Sequence, residues 1–437
     1  MLMLSHLLAL IVGKLIGFLT QNLKLGGGSA APGLYALKSD PMLIQRLAKQ
    51  IPTNIIITGT NGKTTTARLL NQLLTKQGLK VVRNSTGSNL ERGIASALLM
   101  KASFWGEIKN VDIGLWEVDE AAFNTLLPKL KPTVVVFLNA FRDQLDRYGE
   151  VDTVIKKWQT TLNKHQTPCI VLLNGDDNNL SNLQAPQSCT VEYFGLNDKK
   201  IVGEKEVKHT DHKLTVEAKN IKLEGFAGTT FDLVYPEGKF DLHLPLPGTY
   251  QIYNLLAAFS VYRSLNLPLE KSVFDLKDFT GAFGRVEQIE VRGKKGVIML
   301  IKNPVGATQV FETIREELTA KDVLVAALND NFADGKDVSW IWDAEFERLA
   351  RQRIRGSADQ LPKIICSGSR AYDMAIRFKY AGVPESRLTV ISSLTEAFDM
   401  AFKTEGKVVI LPTYTALLEL QKILANKGIK KHYWQES

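Results

Sequence analysis

The chain has 437 residues, which is enough for two or three domains. Its content of 45% hydrophobic and 23% charged residues is typical of a globular enzyme and excludes a disordered chain. A net charge of +8 favours acidic partners such as a nucleotide, a phosphorylated substrate or anionic lipid, and no arginine-rich arm or aromatic-basic repeat points to nucleic acid.

Residues 1–45 predict an N-terminal helical segment. Its apolar side chains recur at helical spacing, at Leu7, Leu8, Ile11, Leu15, Phe18 and Leu19. The apolar run Met1–Val12 is shorter than the roughly 18 residues of a membrane-spanning helix, and no basic segment precedes it as in a signal peptide. The helix either docks on the body of the protein or rests on a membrane surface, with Lys14 and Lys24 near the head groups.

A phosphate-binding loop follows this segment. The β-branched run Ile55–Thr58 stops at a glycine and a helical pattern begins near Lys63, so backbone N–H groups face a bound anion. Lys63 can reach the outer phosphates, and the hydroxyl of Thr64 suits a magnesium ion. Ile57 stands where the general loop pattern has its first glycine. The predicted nucleotide-binding residues are Gly59, Thr60, Asn61, Gly62, Lys63, Thr64 and Thr65.

Strands and helices then alternate, which predicts a mostly parallel sheet with helices on both faces. Residues 189–244 differ, because short alternating runs predict antiparallel strands there, and a helix is expected over 250–265. The strands expected before this region lie near 80–83, 113–118, 133–138 and 169–173.

Polar side chains end several of these strands, where open α/β sheets bind their ligands. Glu117 ends one apolar strand and is a natural magnesium ligand opposite the loop; the alternative is a helix-capping acid. Asn139 ends the next strand, and the charged segment 142–150 after it is either part of the site or a solvated loop. Asn174 and Asp177 end a further strand in the same way.

A second alternation of strands and helices begins near residue 290 and predicts a separate α/β domain, with the boundary near Gly284–Arg292. The domains are therefore expected at 1–45, 46–288 and 289–437. The cysteines Cys169, Cys189 and Cys366 form no CxxC pair, so the sequence indicates neither a disulfide framework nor a zinc ribbon, and a reducing cytoplasm fits.

Several motifs together resemble the central ATPase domain of the Mur ligase family. They are T-G-T-N-G-K-T-T at the loop, Glu117, N-x-x-R-D-x-L-D-R from Asn139, L-N-G-D-D from Leu173, the helix start at 247–254 and G-R-V-E at 284–287. The resemblance implies a P-loop ATPase domain with a parallel sheet and a Rossmann-like C-terminal α/β domain. It also implies that ATP and Mg²⁺ convert a carboxylate into an acyl phosphate, which an amine attacks. In that chemistry Asn254 and Arg285 are expected to contact the nucleotide.

Departures from the family pattern indicate which subfamily the chain resembles. Gln144 stands where most Mur ligases carry a histidine, and Lys157 lies near the place of their carbamylated lysine. The segment D-Q-L-D-R-Y-G-E and the stretches 302–306, 328–340 and 367–371 instead resemble MurT-type subunits of lipid II isoglutaminyl synthase. Many of these subunits insert a four-cysteine zinc ribbon, which this chain lacks, and Gln251 replaces an asparagine of the helix-start motif. No zinc site is therefore expected.

This resemblance implies a GatD-type glutamine amidotransferase as partner, which frees ammonia from glutamine. The chain then activates the α-carboxylate of D-glutamate in the lipid II stem peptide at the membrane surface and yields D-isoglutamine. Lys302 is expected to steady the acyl phosphate, with a surface lysine as the alternative. Asp337 is expected to complete the partner's Cys–His pair, although its Asp- and Asn-rich surroundings are also typical of turn residues.

Two other functions remain open at this point. An amino-acid-adding Mur or folylpolyglutamate-type ligase would hydrolyse ATP with an amino acid and no partner. A non-catalytic nucleotide-binding scaffold would only organise a glutaminase, and the set Lys63, Thr64 and Glu117 argues against it.

Overall fold

The computed structural model describes residues 2–22, 30–84, 88–141, 151–196, 212–279, 285–315, 317–351 and 361–430. These residues form two sheets, one of nine strands and one of six. Buried strands of β-branched and aliphatic residues form the centre of each sheet, and amphipathic helices cover both faces.

The first sheet has the strand order β2-β3-β1-β4-β5-β6-β7-β8-β9. Its strands are β1 (Thr53–Thr58), β2 (Val81–Arg83), β3 (Ile113–Glu117), β4 (Val134–Phe137), β5 (Cys169–Asn174), β6 (Cys189–Leu196), β7 (Val216–Leu223), β8 (Thr229–Tyr235) and β9 (Gly238–Leu244). Neighbouring strands are parallel up to β7, and β7, β8 and β9 are antiparallel.

The prediction of antiparallel strands over 189–244 is wrong for β6, which runs parallel to both β5 and β7. The connection over residues 175–188 is long enough to return the chain to the start of the sheet, as a parallel pair requires. The alternation of side chains reports burial on one face and does not reveal strand direction, so the sequence could not distinguish the two cases.

Helices pack on both faces of this sheet because alternate residues of β1 face opposite sides. Ile55 and Ile57 face α4 (Lys63–Lys76) and α8 (Thr249–Ser264), whereas Ile56 faces the other layer. That layer contains α1 (Leu2–Asn22), α2 (Ala31–Ser39), α3 (Leu43–Ala48), α5 (Glu91–Lys101), α6 (Phe123–Leu130) and α7 (Val151–Asn163).

The second sheet has the order β10-β11-β15-β12-β13-β14, with β10 antiparallel to β11 and the other pairs parallel. Its strands are β10 (Arg285–Val291), β11 (Lys294–Met299), β12 (Val323–Ala327), β13 (Lys363–Ser367), β14 (Leu388–Val390) and β15 (Val408–Pro412). Its helices are α9 (Pro304–Ile314), α10 (Trp340–Asp343), α11 (Glu347–Arg351), α12 (Ala371–Tyr380), α13 (Leu394–Ala401) and α14 (Tyr414–Asn426).

Helix α1 docks on the protein with the face opposite to the one that the sequence singled out. Ala9 and Leu10 are buried, and Gly13 and Gly17 let α1 approach α2 and α5 closely. The side chains left exposed are Leu8, Ile11, Leu15, Phe18 and Leu19. Among the described helices, α1 included, none is both long and apolar enough to cross a membrane. The residue Lys24 lies outside the described residues.

Cys169 and Cys189 are joined in a disulfide, although their spacing in the sequence indicates none. They are 20 residues apart, but each opens a strand, and the parallel register of β5 and β6 places them side by side. No short spacing motif marks such a pair, because the strand crossover brings it together.

Candidate active site

The phosphate-binding loop lies between β1 and α4, where the sequence predicts it. Gly59 and Gly62 have φ angles of 133° and 91°, a conformation that favours glycine. Neighbouring groups also approach too closely for a side chain, because a Cβ on Gly62 would lie 2.2 Å from Oδ1 of Asn254. The loop is thus held against α8 and against the end of β4.

Asn139 at the end of β4 fixes the shape of this loop. Its backbone carbonyl accepts a hydrogen bond from the Thr60 N–H at 3.1 Å. Its side-chain Oδ1 accepts from the Asn61 N–H at 2.8 Å, and its Nδ2 donates to the Asn61 carbonyl at 3.0 Å. The sequence marked Asn139 as a polar strand end, and only the structure reveals that it acts on the loop.

Lys63 and Thr64 open α4 and contact two buried carboxylates. Nζ of Lys63 lies 3.1 Å from Oε2 of Glu120 and also donates to the Gly59 carbonyl. The Thr64 hydroxyl donates to Oε2 of Glu117 at 2.8 Å. Glu117 is at the end of β3, in register with Ile57 of β1. A hydroxyl and a carboxylate oxygen at this distance are a donor set that fits Mg²⁺.

A cleft of about 1120 Å³, its opening to solvent included, separates the two sheets beside this loop. The predicted site residues that line it are Asn61, Gly62, Asn174, Asp177, Asn254 and Lys302. Lys302 follows β11 and approaches from the second sheet, so the cleft is built by both halves of the chain.

Three of the predicted nucleotide ligands in the cleft also organise its walls. Asn174 donates to the Leu138 carbonyl at 3.0 Å, and Asp177 accepts from the Ala140 N–H at 2.8 Å. Asn254 on α8 donates to Gln251 at 2.9 Å and accepts from the Thr66 hydroxyl at 3.3 Å. These bonds fix the ends of β4 and β5 and the contact between α8 and α4. Gln251, the residue that departs from the family motif, is fully buried and holds Asn254 in place.

A pair of asparagines connects the two halves of the chain across the cleft. Nδ2 of Asn303 donates to Oδ1 of Asn61 at 3.0 Å, and Nδ2 of Asn61 donates to Oδ1 of Asn303 at 3.3 Å. The same Oδ1 of Asn303 caps α9 by accepting from the Gly306 N–H at 2.8 Å. The phosphate loop is therefore hydrogen-bonded directly to a helix N-terminus of the second half, a contact that no motif in the sequence indicates.

The remaining predicted site residues lie elsewhere. Thr65 is buried on α4, and Lys157 is exposed on α7. Arg285 opens β10 in register with Met299, a residue of the cleft, and its side chain is outside the described part, as are Gln144 and the segment 142–150. Asp337 does not line the cleft; it is exposed and forms a turn by accepting from the Ser339 N–H at 2.8 Å.

The loop that carries Asp337 is held by its neighbours. Asp334 is buried and accepts hydrogen bonds from the N–H and hydroxyl of Thr415 at the start of α14. Asn331 donates to the same hydroxyl at 2.8 Å. The prediction that some Asp and Asn residues here serve turns and helix ends is confirmed. The aromatic residues Phe332, Trp342 and Tyr380 are exposed on the same half of the chain.

Family models match both halves of the chain. Residues 57–262 match the Mur ligase middle domain, and residues 300–417 match the MurT ligase C-terminal domain.

A relative from Streptococcus pneumoniae (strain ATCC BAA-255 / R6), named lipid II isoglutaminyl synthase (glutamine-hydrolyzing) subunit MurT, is 33% identical over 97% of each chain. Among solved structures, MurF from Acinetobacter baumannii has a TM-score of 0.67 at 19% identity, covering 90% of this chain and 79% of that one. MurF ligase from Thermotoga maritima in complex with ADP has a TM-score of 0.64 at 17% identity, covering 91% and 85%. These structural matches confirm the predicted fold class.

Proposed function

Because this chain belongs to the MurT family of Mur ligases, we propose that it is the subunit of an isoglutaminyl synthase that activates the α-carboxylate of D-glutamate in lipid II. The family membership confirms the resemblance found in the sequence motifs and makes the chain an ATP-dependent ligase that works with another subunit. The observation that carries the proposal is the cleft, which is lined by Lys302 and by Asn61 and Gly62 of the phosphate loop, directly before the helix start at Lys63 and Thr64.

The phosphate loop binds ATP through its backbone N–H groups and the positive end of α4. Mg²⁺ would be held by the Thr64 hydroxyl and the Glu117 carboxylate, which lie 2.8 Å apart. When bound, it supplies positive charge that neutralises the phosphates during transfer to the carboxylate. Lys63 supplies further charge from within the loop. Asn174, Asp177 and Asn254 line the same cleft and hold the walls against which the nucleotide packs.

Lys302 and Arg285 act from the second half of the chain. A carboxylate that attacks ATP brings two anions together, so cations on both sides of the cleft lower the barrier. Lys302 lines the cleft opposite the loop and is assigned to the acyl phosphate. The backbone of Arg285 opens β10 beside the cleft residue Met299, and its guanidinium is assigned to the γ-phosphate.

The partner is proposed to be a GatD-type glutaminase that docks near Asp337. Ammonia attacks the acyl phosphate only as the neutral amine, so a water-excluding path between the two subunits prevents its protonation. Asp337 is exposed, and aromatic residues of the kind enriched in protein interfaces are exposed on the same half of the chain. In this proposal Asp337 orients the catalytic histidine of the partner.

The proposed function is tested by reconstitution. The chain and its glutaminase are mixed with lipid II, Mg²⁺, ATP and glutamine, and ADP and amidated lipid are quantified. We expect both products in equal amounts, and ammonium salts in place of glutamine should support the reaction without the partner's activity. Amino-acid addition without a glutaminase would identify an amino-acid-adding ligase, and glutamine hydrolysis without any ATP turnover would identify a scaffold.

We further propose that α1 rests on the membrane that carries the lipid substrate, as a peripheral contact. Its exposed apolar residues fall on one stripe, and Leu8, Leu15 and Phe18 are each more than half exposed. The two helices that pack against α1 each carry an exposed lysine, Lys38 on α2 and Lys101 at the end of α5. An exposed apolar helix face accompanied by basic residues is typical of helices that bind anionic bilayers.

Vesicle co-sedimentation tests this contact. Replacing Leu8, Leu15 and Phe18 by serine removes roughly 1 kcal/mol each and should weaken binding to phosphatidylglycerol vesicles about 10²-fold. Leu223→Ser, at an equally exposed position of β7, is the matched control. Unchanged vesicle binding by the triple variant would refute the contact, and a change from dimer to monomer would identify a second copy of the chain as the occupant of this face.

A further inference from the structure

One histidine and two cysteines converge at the amino edge of the first sheet, which is the edge opposite to the cleft. Cys169 opens β5 and Cys189 opens β6, and their Cα atoms are 4.6 Å apart. His165 follows the end of α7. A ring nitrogen of His165 and the two sulfur atoms all lie within 4.8 Å of one another. Imidazole nitrogen and cysteine sulfur are the ligand atoms that Zn²⁺ prefers.

The imidazole of His165 supports a ligand at this cluster. The residue is only 7% exposed, and its Nε2 atom has no hydrogen-bond partner within the described part of the chain. A buried nitrogen without a hydrogen-bond partner destabilises the fold, and coordination to a cation would satisfy it.

We propose that His165, Cys169 and Cys189 bind one Zn²⁺ ion when the two cysteines are reduced. This proposal departs from the expectation from the sequence that the chain has no zinc site, and the proposed site is independent of the ATP chemistry of the cleft. Cys169 is buried and Cys189 is half-buried, and with three protein ligands a water molecule would fill the fourth coordination position.

Binding requires reduction, because the two sulfurs form a disulfide in this structure. A thiol or phosphine reductant supplies two electrons, and the disulfide with two protons becomes two thiols. Zn²⁺ then displaces both thiol protons and binds the thiolates. The bound ion would connect the end of α7 to the first residues of β5 and β6, as the disulfide connects the two strands alone.

Cobalt spectroscopy tests this site directly, because Co²⁺ occupies zinc sites and its thiolate bonds give intense near-ultraviolet bands. The full-length protein, without an affinity tag, is reduced with a phosphine, stripped with EDTA and placed in excess Mg²⁺ to occupy the oxygen ligands of the cleft. We expect one Co²⁺ per chain with sulfur-to-cobalt bands, and displacement of these bands by one equivalent of Zn²⁺.

Variants separate the site from adventitious binding. Cys189→Ser and His165→Gln should each weaken Co²⁺ binding at least about 100-fold, since each loses a direct ligand. Cys366→Ala is the matched control, because Cys366 is buried in the second half of the chain, and it should bind as wild type does. Nucleotide binding measured on each variant reports that it is folded.

Three outcomes would overturn the proposal. They are the absence of thiolate bands in the reduced protein, full binding by Cys189→Ser, and equal binding by protein that has been reoxidised with diamide. A folded wild-type protein whose disulfide resists the phosphine would also overturn it, since the ligands would then never become available.

Discussion

Removing Lys63 should destabilise the protein as well as stop ATP turnover, because the lysine neutralises a buried carboxylate. Nζ of Lys63 is 3.1 Å from Oε2 of Glu120, and their side chains are only 11% and 7% exposed. Breaking a fully buried ion pair from one side costs about 3–5 kcal/mol. Because the lysine side chain keeps some contact with solvent, we expect a smaller cost of about 2 kcal/mol for Lys63→Met.

The double variant Lys63→Met/Glu120→Gln separates the two effects. It removes both charges, so its free energy of unfolding should return to within about 1 kcal/mol of wild type. ATP turnover should stay reduced at least about 10²-fold in both variants, since neither has a cation to place on the phosphates.

Thermal unfolding of nucleotide-free protein and ADP release with the partner and lipid II present measure the two quantities. At about 2–4 °C per kcal/mol, the single variant should unfold roughly 4–8 °C below wild type. A double variant as unstable as the single one would refute the role of Glu120. Turnover near the wild-type rate in either variant would refute the assignment of Lys63 to the phosphates.

Three further predictions concern the partner, the loop and acid titration. Asp337→Asn should lower glutamine hydrolysis by the intact complex about 10²-fold and leave ATP binding unchanged, whereas unaltered hydrolysis would leave Asp337 a turn residue. Gly62→Ala should weaken ATP binding at least about 10-fold, because its Cβ would lie 2.2 Å from Asn254, and calorimetry with wild-type affinity would contradict this. Burial raises the pKa of Asp334 above its usual 3.8, so the unfolded chain loses this proton first as the pH rises. The stability of the wild type relative to Asp334→Asn should therefore fall as the pH rises from about 4 through the folded-state pKa. A wild-type-minus-variant difference that stays flat or grows with pH in chemical denaturation would show that this carboxyl is not desolvated.

Much of the cleft could be predicted from the sequence because its parts are local. A β-branched strand, a glycine turn and a helix start at Lys63 lie next to one another in the chain, and the strand-end rule located Glu117, Asn174 and Asp177. The Asx turn of Asp337 is local too. A site whose residues are neighbours in the chain can be predicted once their secondary structure is predicted correctly.

The contacts that the sequence did not reveal depend on how strands and domains are arranged. Glu120 reaches Lys63 only because β3 lies beside β1, and Asn139 reaches the loop from β4. Cys169 and Cys189 meet through a parallel crossover. No spacing rule encodes these distances, since each is set by the packing of elements far apart in the chain.

The paired amides of Asn61 and Asn303 have a thermodynamic consequence. Any rotation that separates the two halves of the chain must break both hydrogen bonds, at about 1 kcal/mol for each. Asn61 belongs to the phosphate-binding loop. A change in the arrangement of the two halves that alters the conformation of this loop therefore also alters its affinity for nucleotide. By reciprocity, nucleotide then shifts the equilibrium between the two arrangements by the same factor. A protein that binds only the C-terminal half would thereby change the affinity of the loop for ATP without contacting the nucleotide.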